Sequence, residues 1–242
     1  MAVEVWGKTD IGLKREINQD SILVDSEISL FVVADGMGGH RGGEVASAMA
    51  VEVAQEIVEQ KLGASGPVSP RDIIRSLFRE ASRKIFLKST RDNPELMGMG
   101  TTLVVALCYN NKIYVGNVGD SRAYLFKESN LWQITEDHSL VNEQIRAGII
   151  RPEDQEAVSG RNVITRSVGF EEEVVVDIVE REFVPGEIYL LCSDGLSGMV
   201  SNEKIADICR KNGPQKIVEQ CVEAAKAAGG DDNISVIVIK SV

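Results

Sequence analysis

The sequence contains no long apolar run and no leader-like start. No apolar stretch approaches the roughly 18 residues that a membrane-spanning helix needs. The first residues, MAVEVWGKTD, lack the basic region and the following apolar region that are typical of a signal peptide. We therefore expect a cytoplasmic protein that has no membrane partner.

Cysteine, histidine and basic residues are also scarce. The four cysteines lie singly in apolar stretches without C-x-x-C spacing, which favours buried reduced thiols over disulfides or zinc ligands. Only two histidines are present, and this counts against zinc or a catalytic iron. The 26 Lys and Arg residues stand against 37 Asp and Glu residues, so the net charge of −11 would repel a polyanion. We do not expect nucleic acid as a partner.

The order of helical and strand-like segments predicts an α+β fold rather than a doubly wound parallel sheet. An apolar helical stripe covers residues 42–62, and Ser69-Pro70 predicts the start of a second helix. Two strand-like runs meet at Asn110-Asn111, a plausible tight hairpin, and the segment SRAYLF continues the antiparallel pattern. Near the end, two helices precede a last strand, ISVIVIK.

Five aspartates lie at the ends of strand-like runs. Three apolar runs end in an aspartate beside a glycine, and two further aspartates stand just before apolar runs. In chain order they are Asp20, Asp35, Asp120, Asp194 and Asp232. A single Asp-Gly pair is a common turn, but five such positions favour one converging site. Crowded carboxylates repel one another unless divalent cations neutralise them, and oxygen-only ligands indicate magnesium or manganese.

The glycine-rich stretch DGMGGHRGG lies between a strand and a helix and allows two interpretations. One is a nucleotide-binding loop. It fits less well, because Arg41 occupies the third glycine position of the dinucleotide fingerprint and Asp35 would repel a pyrophosphate. The other is that the glycines let the backbone pass close to a metal or its waters, and we favour it.

Eight short segments follow one another in a fixed order. They are GLKREINQD (12–20), VADGMGGHRGGEVAS (33–47), GTT (100–102), VGDSRAY (118–124), EDHS (136–139), ITRSVG (164–169), SDGL (193–196) and GGDDNIS (229–235). This order resembles that of the metal-dependent type 2C serine/threonine protein phosphatases, most closely their short bacterial form. The resemblance implies a central antiparallel β-sandwich flanked on both sides by pairs of α-helices. It also implies hydrolysis of phosphoserine and phosphothreonine monoesters in proteins.

The resemblance assigns metal ligands residue by residue. Asp35 matches the carboxylate that bridges two metal ions, and Asp194 and Asp232 complete the first metal site. Asp20 and the carbonyl of Gly36 serve the second, partly through waters.

A third cation and the phosphate site follow from the same resemblance. Asp120 matches the residue that holds a third metal together with Asp194, so we expect two to three divalent cations, manganese or magnesium. Arg15 matches the phosphate-binding arginine, whose guanidinium suits two phosphate oxygens. His40 resembles the candidate general acid for the leaving alkoxide.

The implied mechanism uses a metal-bridged water as the nucleophile and needs no covalent phosphoenzyme. This agrees with the lack of a Cys-x5-Arg signature, which a cysteine phosphatase would carry. One alternative is a catalytically inactive phosphatase-like binding module, against which the complete ligand set argues. A metal phosphodiesterase or nuclease is a second alternative, and the net charge of −11 argues against it.

The remaining expectations concern organisation and partners. Residues 1–242 are expected to form a single catalytic domain with a variable flap at about residues 139–160. His138, Thr101 and Thr102 are interpreted as structural residues. We expect a monomer that acts on phosphorylated proteins, including a bacterial Ser/Thr kinase or its targets.

Overall fold

Two antiparallel β-sheets form the centre of the molecule. The computed structural model describes residues 3–157, 160 and 163–242, and eleven strands lie in that part. They are β1 (Val3–Asp10), β2 (Asp20–Asp25), β3 (Leu30–Met37), β4 (Gly100–Thr101), β5 (Leu103–Tyr109), β6 (Lys112–Val118), β7 (Arg122–Lys127), β8 (Asn130–Gln133), β9 (Asp177–Glu182), β10 (Ile188–Cys192) and β11 (Ile234–Ser241). One sheet has the order β1-β11-β10-β7-β8, and the other has the order β2-β3-β5-β6-β9, with β4 paired to β3.

Helices cover the outer faces of both sheets. The described residues contain α1 (Gly39–Gly63), α2 (Pro70–Leu87), α3 (Leu140–Arg146), α4 (Asp194–Ser197), α5 (Asn202–Lys211) and α6 (Pro214–Ala227). A π-helical turn at Lys88–Asp92 and 3-10 turns at Pro94–Leu96 and Pro152–Ala157 complete the helical segments of this part. None of these described helices is long and apolar enough to cross a membrane.

Apolar side chains fill three layers, because neighbouring residues of a strand point to opposite faces of its sheet. In β3, Phe31 lies between the two sheets with Tyr189 of β10. Leu30 instead lies in the layer with Phe78 of α2, while Ile217 of α6 lies in the third layer against the other sheet. The four cysteines are buried and free. This arrangement confirms the predicted sandwich flanked by helix pairs.

Helix α1 confirms the predicted apolar stripe but begins earlier than residue 42, directly after Gly38. Its most buried row consists of small residues, Ala46, Ala50 and Ala54, and each of them has no exposed surface. Met49, in the neighbouring row, is only partly buried. The alanine row therefore forms the centre of the contact with the sheet, since small side chains let a helix approach closely.

The predicted Asn110-Asn111 hairpin joins β5 to β6, with Tyr109 paired to Lys112. Both asparagines have positive φ angles, 49° and 59°, as a two-residue hairpin turn requires. The expected continuation into SRAYLF is only partly right. Strand β7 is antiparallel, but it pairs with β10 and β8 rather than β6, so the chain crosses between sheets at residues 119–121.

The segment at residues 139–160 begins with the expected short helix. Ser139 caps α3, and its hydroxyl oxygen accepts a hydrogen bond from the backbone N–H of Asn142 at 3.4 Å. A 3-10 turn follows at Pro152–Ala157. Residues 158 and 159 of the predicted flap lie outside the described residues. Beyond them, Ile164 forms an isolated antiparallel bridge with Ser139.

Candidate active site

A cleft of about 370 Å³ lies at the edge of the sandwich where several of the predicted residues meet. Four of the five predicted aspartates line it, together with the predicted arginine and glycine: Asp35, Asp120, Asp194, Asp232, Arg15 and Gly36. The fifth aspartate, Asp20, is buried beside the cleft, and its Cα is paired with that of Asp35 between β2 and β3. The structure therefore brings all five carboxylates into one region.

Asp20 begins β2, and one oxygen of its carboxylate is held by two serines. Ser193 and Ser235 donate hydroxyl hydrogen bonds to Asp20 Oδ2 at 2.8 and 2.7 Å. The other oxygen, Oδ1, is buried and has no hydrogen-bond partner among the described residues. Burial, and then the charges of Asp194 and Asp232, raise the pKa of Asp20 to about 7 despite the two serines.

Asp35 and Asp194 both line the cleft. Burial raises the pKa of Asp35 well above its ordinary value, and Asp20 and Asp194 add to this effect. Burial also raises the pKa of Asp194, with a further contribution from Asp232. Oδ1 of Asp194 is a second buried carboxylate oxygen without a hydrogen-bond partner in the described part of the chain. These oxygens are available to a ligand that accepts electron pairs.

Asp120 lies on the crossover between the two sheets, immediately after Gly119. Gly119 has a φ of +105°, and a Cβ at this position would lie 2.6 Å from the side chain of Thr102. Only glycine fits this turn without strain. Burial raises the pKa of Asp120 to about 7, with additions from Asp194 and Asp137.

Arg15 contacts the fifth carboxylate at the mouth of the cleft. Its Nη2 donates a hydrogen bond to Asp232 Oδ2 at 2.7 Å. The side chain of Arg15 is 50% exposed and that of Asp232 is 35% exposed. Because half of the side-chain surface of Arg15 is exposed, its other N–H donors can bind an anion that enters from solvent. Because Asp232 also lines the cleft, such an anion would compete with this ion pair.

Asn233 holds the loop that carries Arg15. Its Oδ1 accepts a hydrogen bond from the backbone N–H of Gln19 at 2.8 Å. Its Nδ2 donates to the carbonyl oxygens of Ile11 and Ile17 at 3.0 and 3.1 Å. The side chain of Asn233 is buried and makes these bonds directly beside Asp232, so the loop is tied to the segment that carries this carboxylate.

The backbone of Asp35 is fixed by two threonines. Thr102 accepts a hydrogen bond from the N–H of Asp35 at its hydroxyl oxygen, at 3.0 Å. The carbonyl of Asp35 accepts from the hydroxyl of Thr101 at 2.9 Å and from the backbone N–H of Thr102 at 2.8 Å. Gly36 follows at a close approach, because a Cβ there would lie 2.0 Å from the carbonyl oxygen of Gly43. Both threonines act on the backbone, as their structural interpretation predicts.

The donor set fits a hydrated divalent cation. Among the described residues, no three His, Cys, Asp or Glu side chains form a closed cage for one ion. Magnesium-like ions do not need such a cage, because they keep several waters and use one or two carboxylates. Two buried carboxylate oxygens without hydrogen-bond partners, and the burial that raises the pKa of four of these aspartates, fit a site in which such ions supply positive charge.

One predicted residue cannot be located in full. His40 lies near the start of α1, but its side chain lies outside the described part of the structure. Its proposed acid role therefore stays a prediction from the sequence.

Residues 13–222 match the family model described as Protein phosphatase 2C, which is well over half of the chain. The chain belongs to the protein phosphatase 2C family. A curated relative, the serine/threonine phosphatase stp of Listeria welshimeri, is 37% identical over 238 residues, covering 96% of this chain and 94% of the relative.

Solved protein phosphatase 2C structures have the same fold. The serine/threonine phosphatase PstP/Ppp of Mycobacterium tuberculosis superposes with a TM-score of 0.92 at 32% identity, covering 100% of this chain and 99% of that chain. A structure of the PstP catalytic domain in complex with two manganese ions has a TM-score of 0.88 at 32% identity, covering 98% and 97%. The family is metal-dependent.

Several residues that shape this protein phosphatase 2C site have no signal of their own in the sequence. Ser193, Ser235 and Asn233 are small polar residues next to predicted aspartates, but their contacts join segments far apart in the chain. The available signal is that Ser193 belongs to the SDGL segment and that Asn233 and Ser235 belong to the GGDDNIS segment.

Proposed function

We propose that the chain is a metal-dependent protein phosphatase that hydrolyses phosphoserine and phosphothreonine monoesters. Membership of the protein phosphatase 2C family and the names of its relatives support the reaction class. The observation that carries the proposal is the cleft in which Arg15 stands beside four aspartates, with Asp20 behind them. The proposed hydrolysis of a phosphate monoester uses carboxylates that can hold cations and a hydrogen-bond donor that can bind the phosphate anion. This cleft offers residues for both.

The cation ligands are proposed on the basis of these contacts. Asp35, Asp194 and Asp232 would hold the first cation, while Asp35, Asp20 and the carbonyl of Gly36 would serve the second, partly through waters. The unpartnered oxygens of Asp20 and Asp194 support this assignment. When bound, two such cations supply charge neutralisation and a water that loses its proton near neutral pH.

A third cation completes the proposal. Asp120 and Asp194 would hold it, and the burial that raises the pKa of Asp120 supports a carboxylate that a cation would keep ionised. The identity of the cations, manganese or magnesium, stays a prediction. Two manganese ions are present in the PstP catalytic-domain structure described above.

Arg15 binds the phosphate of the substrate. Its guanidinium presents planar donors that match two phosphate oxygens. Substrate binding would then compete with the Arg15–Asp232 ion pair, because both use the same guanidinium. His40 would donate a proton to the leaving alkoxide of serine or threonine, a role that rests on the family resemblance alone.

Organisation and partners remain predictions. We propose a single catalytic domain over residues 1–242, with residues 139–160 acting as a flap beside the cleft. The position of Ile164 in the cleft wall, bridged to Ser139, supports a flap at this place. A monomeric state, a cytoplasmic location and a Ser/Thr kinase or its targets as the substrates are proposed from the sequence.

One assay tests the function and both alternatives. Phosphate release from a phosphothreonine peptide is measured with manganese, with magnesium and with excess chelator, beside a phosphodiester substrate. We expect release from the peptide only with a cation and no cleavage of the diester. Full activity in chelator would contradict the metal mechanism, and cleavage of the diester alone would favour a phosphodiesterase. A protein that binds the phosphopeptide without turnover would be the inactive binding module.

A further inference from the structure

His138 lies outside the cleft, but it makes two hydrogen bonds to the glycine that precedes Asp120. The ring atom Nδ1 accepts a hydrogen bond from the backbone N–H of Gly119 at 3.0 Å. The backbone N–H of His138 donates to the carbonyl oxygen of Gly119, also at 3.0 Å. The residue is 6% exposed, so water does not replace these bonds. Both polar groups of the Gly119 backbone therefore bond to His138.

The geometry defines the tautomer of the His138 ring. A neutral imidazole carries one N–H, and Nδ1 accepts from Gly119, so the proton lies on Nε2. Nε2 is 3.0 Å from Asp177 Oδ2 and donates to it. Burial alone would raise the pKa of Asp177, but hydrogen bonds from His138 and Arg166 hold it below its ordinary value, so Asp177 is an ionised acceptor.

Arg166 completes the outer end of this chain of contacts. Its Nη1 donates hydrogen bonds to Asp177 Oδ1 and to the carbonyl oxygen of Val175, each at 3.1 Å. The same nitrogen is 3.0 Å from His138 Nε2, but both atoms carry hydrogens in this tautomer, so they do not bond to each other. Asp177 therefore serves as the shared acceptor that orients the ring.

The turn has a further support on the same side. Asn117, buried in β6, donates from Nδ2 to the carbonyl of Glu136 at 3.1 Å and to that of Gly119 at 3.4 Å. Thr102 lies beside the α-carbon of Gly119, since a Cβ there would be 2.6 Å from the threonine side chain. Only the bond to His138 Nδ1 engages the Gly119 N–H among the described contacts, and the carboxylate of Asp120 follows one residue later.

We infer that His138 is a positioning residue for the third cation: its Nδ1, with the proton locked on Nε2 by Asp177, fixes the Gly119 amide and thereby the direction of Asp120. The inference rests on the proposed function, in which Asp120 is a cation ligand. His138 is not among the residues that line the cleft, so it would act on the site through Gly119. Outer-shell partners of this kind commonly change metal affinity or activity by about 10- to 100-fold when they are replaced.

Two substitutions separate the two ends of the ring. In His138→Asn the amide oxygen lies at the level of Nδ1, so it can accept from Gly119, but the contact with Asp177 is lost. In His138→Gln the amide lies at the level of Nε2, so it can reach Asp177 and leaves the Gly119 N–H unpaired. The pair has similar polarity, and the thermal midpoint of each variant reports its general stability.

The experiment measures turnover of a phosphothreonine peptide across manganese concentrations and manganese binding by calorimetry. We expect His138→Gln to require about tenfold more manganese for half-maximal kcat, with KM for the peptide unchanged, and His138→Asn to recover most of the loss. Weakening of the weakest manganese site in calorimetry should follow the same order. Ring nitrogen NMR shifts should show an unprotonated Nδ1 in the wild-type protein, which has only two histidines to assign.

The outcomes separate this inference from the proposed function. Equal losses in the Asn and Gln variants that follow the thermal midpoint would overturn the positioning role and leave His138 purely structural, as would a protonated Nδ1. An Asp120→Ala protein with normal manganese dependence would overturn both the third-cation assignment and the role of His138. A wild-type protein without phosphatase activity, but with manganese binding weakened in His138→Gln only, would overturn the proposed function and support His138.

Discussion

Arg15 and Asp232 form a 2.7 Å ion pair across 217 residues of sequence, and both side chains line the same cleft. The pair joins a group that can bind phosphate, Arg15, to a candidate cation ligand, Asp232. Phosphate would therefore compete with Asp232 for Arg15, and a cation would compete with Arg15 for Asp232. The ion pair holds the two side chains together, while a phosphate and a cation would each take one partner. Neighbouring Lys14 makes a similar ion pair with Asp231 at 2.6 Å, but neither of these residues lines the cleft.

Arg15→Ala should lower kcat/KM for a phosphopeptide by roughly 10- to 150-fold, because a charged hydrogen bond contributes about 1.5–3 kcal/mol. Cation binding should remain, since Asp232 loses only a competitor. The check is steady-state kinetics together with manganese calorimetry. Lys14→Ala, one residue away, is the matched control and should leave both quantities unchanged. An unaltered kcat/KM in Arg15→Ala would return Arg15 to the ordinary surface residues.

Asp35→Asn should abolish nearly all turnover, because one carboxylate is proposed to serve both central cations. The fold should survive, since Thr101 and Thr102 hold the backbone of Asp35 and not its carboxylate. Manganese stoichiometry and kcat are measured together. Asp231→Asn is the control, because this exposed aspartate lies outside the cleft. Near-normal turnover with two cations bound would contradict the bridging assignment.

Sequence reasoning located the candidate carboxylates because strand ends are visible as apolar runs. Asp35, Asp120 and Asp194 each follow such a run beside a glycine, and the chain must turn there. Their convergence needed the sheet order, which the sequence does not contain. The strand after Asp120 illustrates this: its pattern indicates an antiparallel strand but not the crossover that moves it into the other sheet.

Supporting residues were harder to predict for a physical reason. Ser193 and Ser235 act on Asp20 across 173 and 215 residues, and a buried serine has no periodicity that could reveal such a partner. The same holds for Asn233, whose amide closes the loop at residues 11–19. The sequence indicates a structural role for His138 but not its partner, and the structure identifies that partner as Gly119.

Ile149 is an apolar residue of the predicted flap and is 72% exposed. Ile149→Ser should weaken turnover of a phosphoprotein more than that of a small aryl phosphate, because only a protein substrate reaches beyond the cleft. The ratio of the two kcat/KM values is the measurement. Val184→Ser is the control, because Val184 is also an exposed apolar residue. It follows the end of β9 that is opposite to Asp177, the residue that contacts His138. Equal losses on both substrates would argue against a substrate-contacting flap.

The metal-free protein should lose stability as the pH rises through the neutral range. Burial and neighbouring carboxylates raise the pKa of Asp20 and that of Asp120 to about 7, from 3.8. Between these values the folded protein keeps protons that the unfolded chain releases, so the free energy of unfolding falls with increasing pH. Carboxylates with lowered pKa values, such as Asp177, titrate below this window and do not oppose the trend there.

Thermal midpoints in excess chelator should therefore be lower at about pH 8 than at about pH 5, and manganese should raise the midpoint more at the higher pH, because it binds the ionised carboxylates. Asp20→Asn removes one raised group without adding charge, so it should flatten the pH dependence in chelator. Asp25→Asn, at the other end of β2, is the matched control and should leave the slope unchanged. A metal-free protein whose midpoint rises between these two pH values would show that the pKa values of these carboxylates are not raised in the folded state. That result would contradict the electrostatic argument for the cation site.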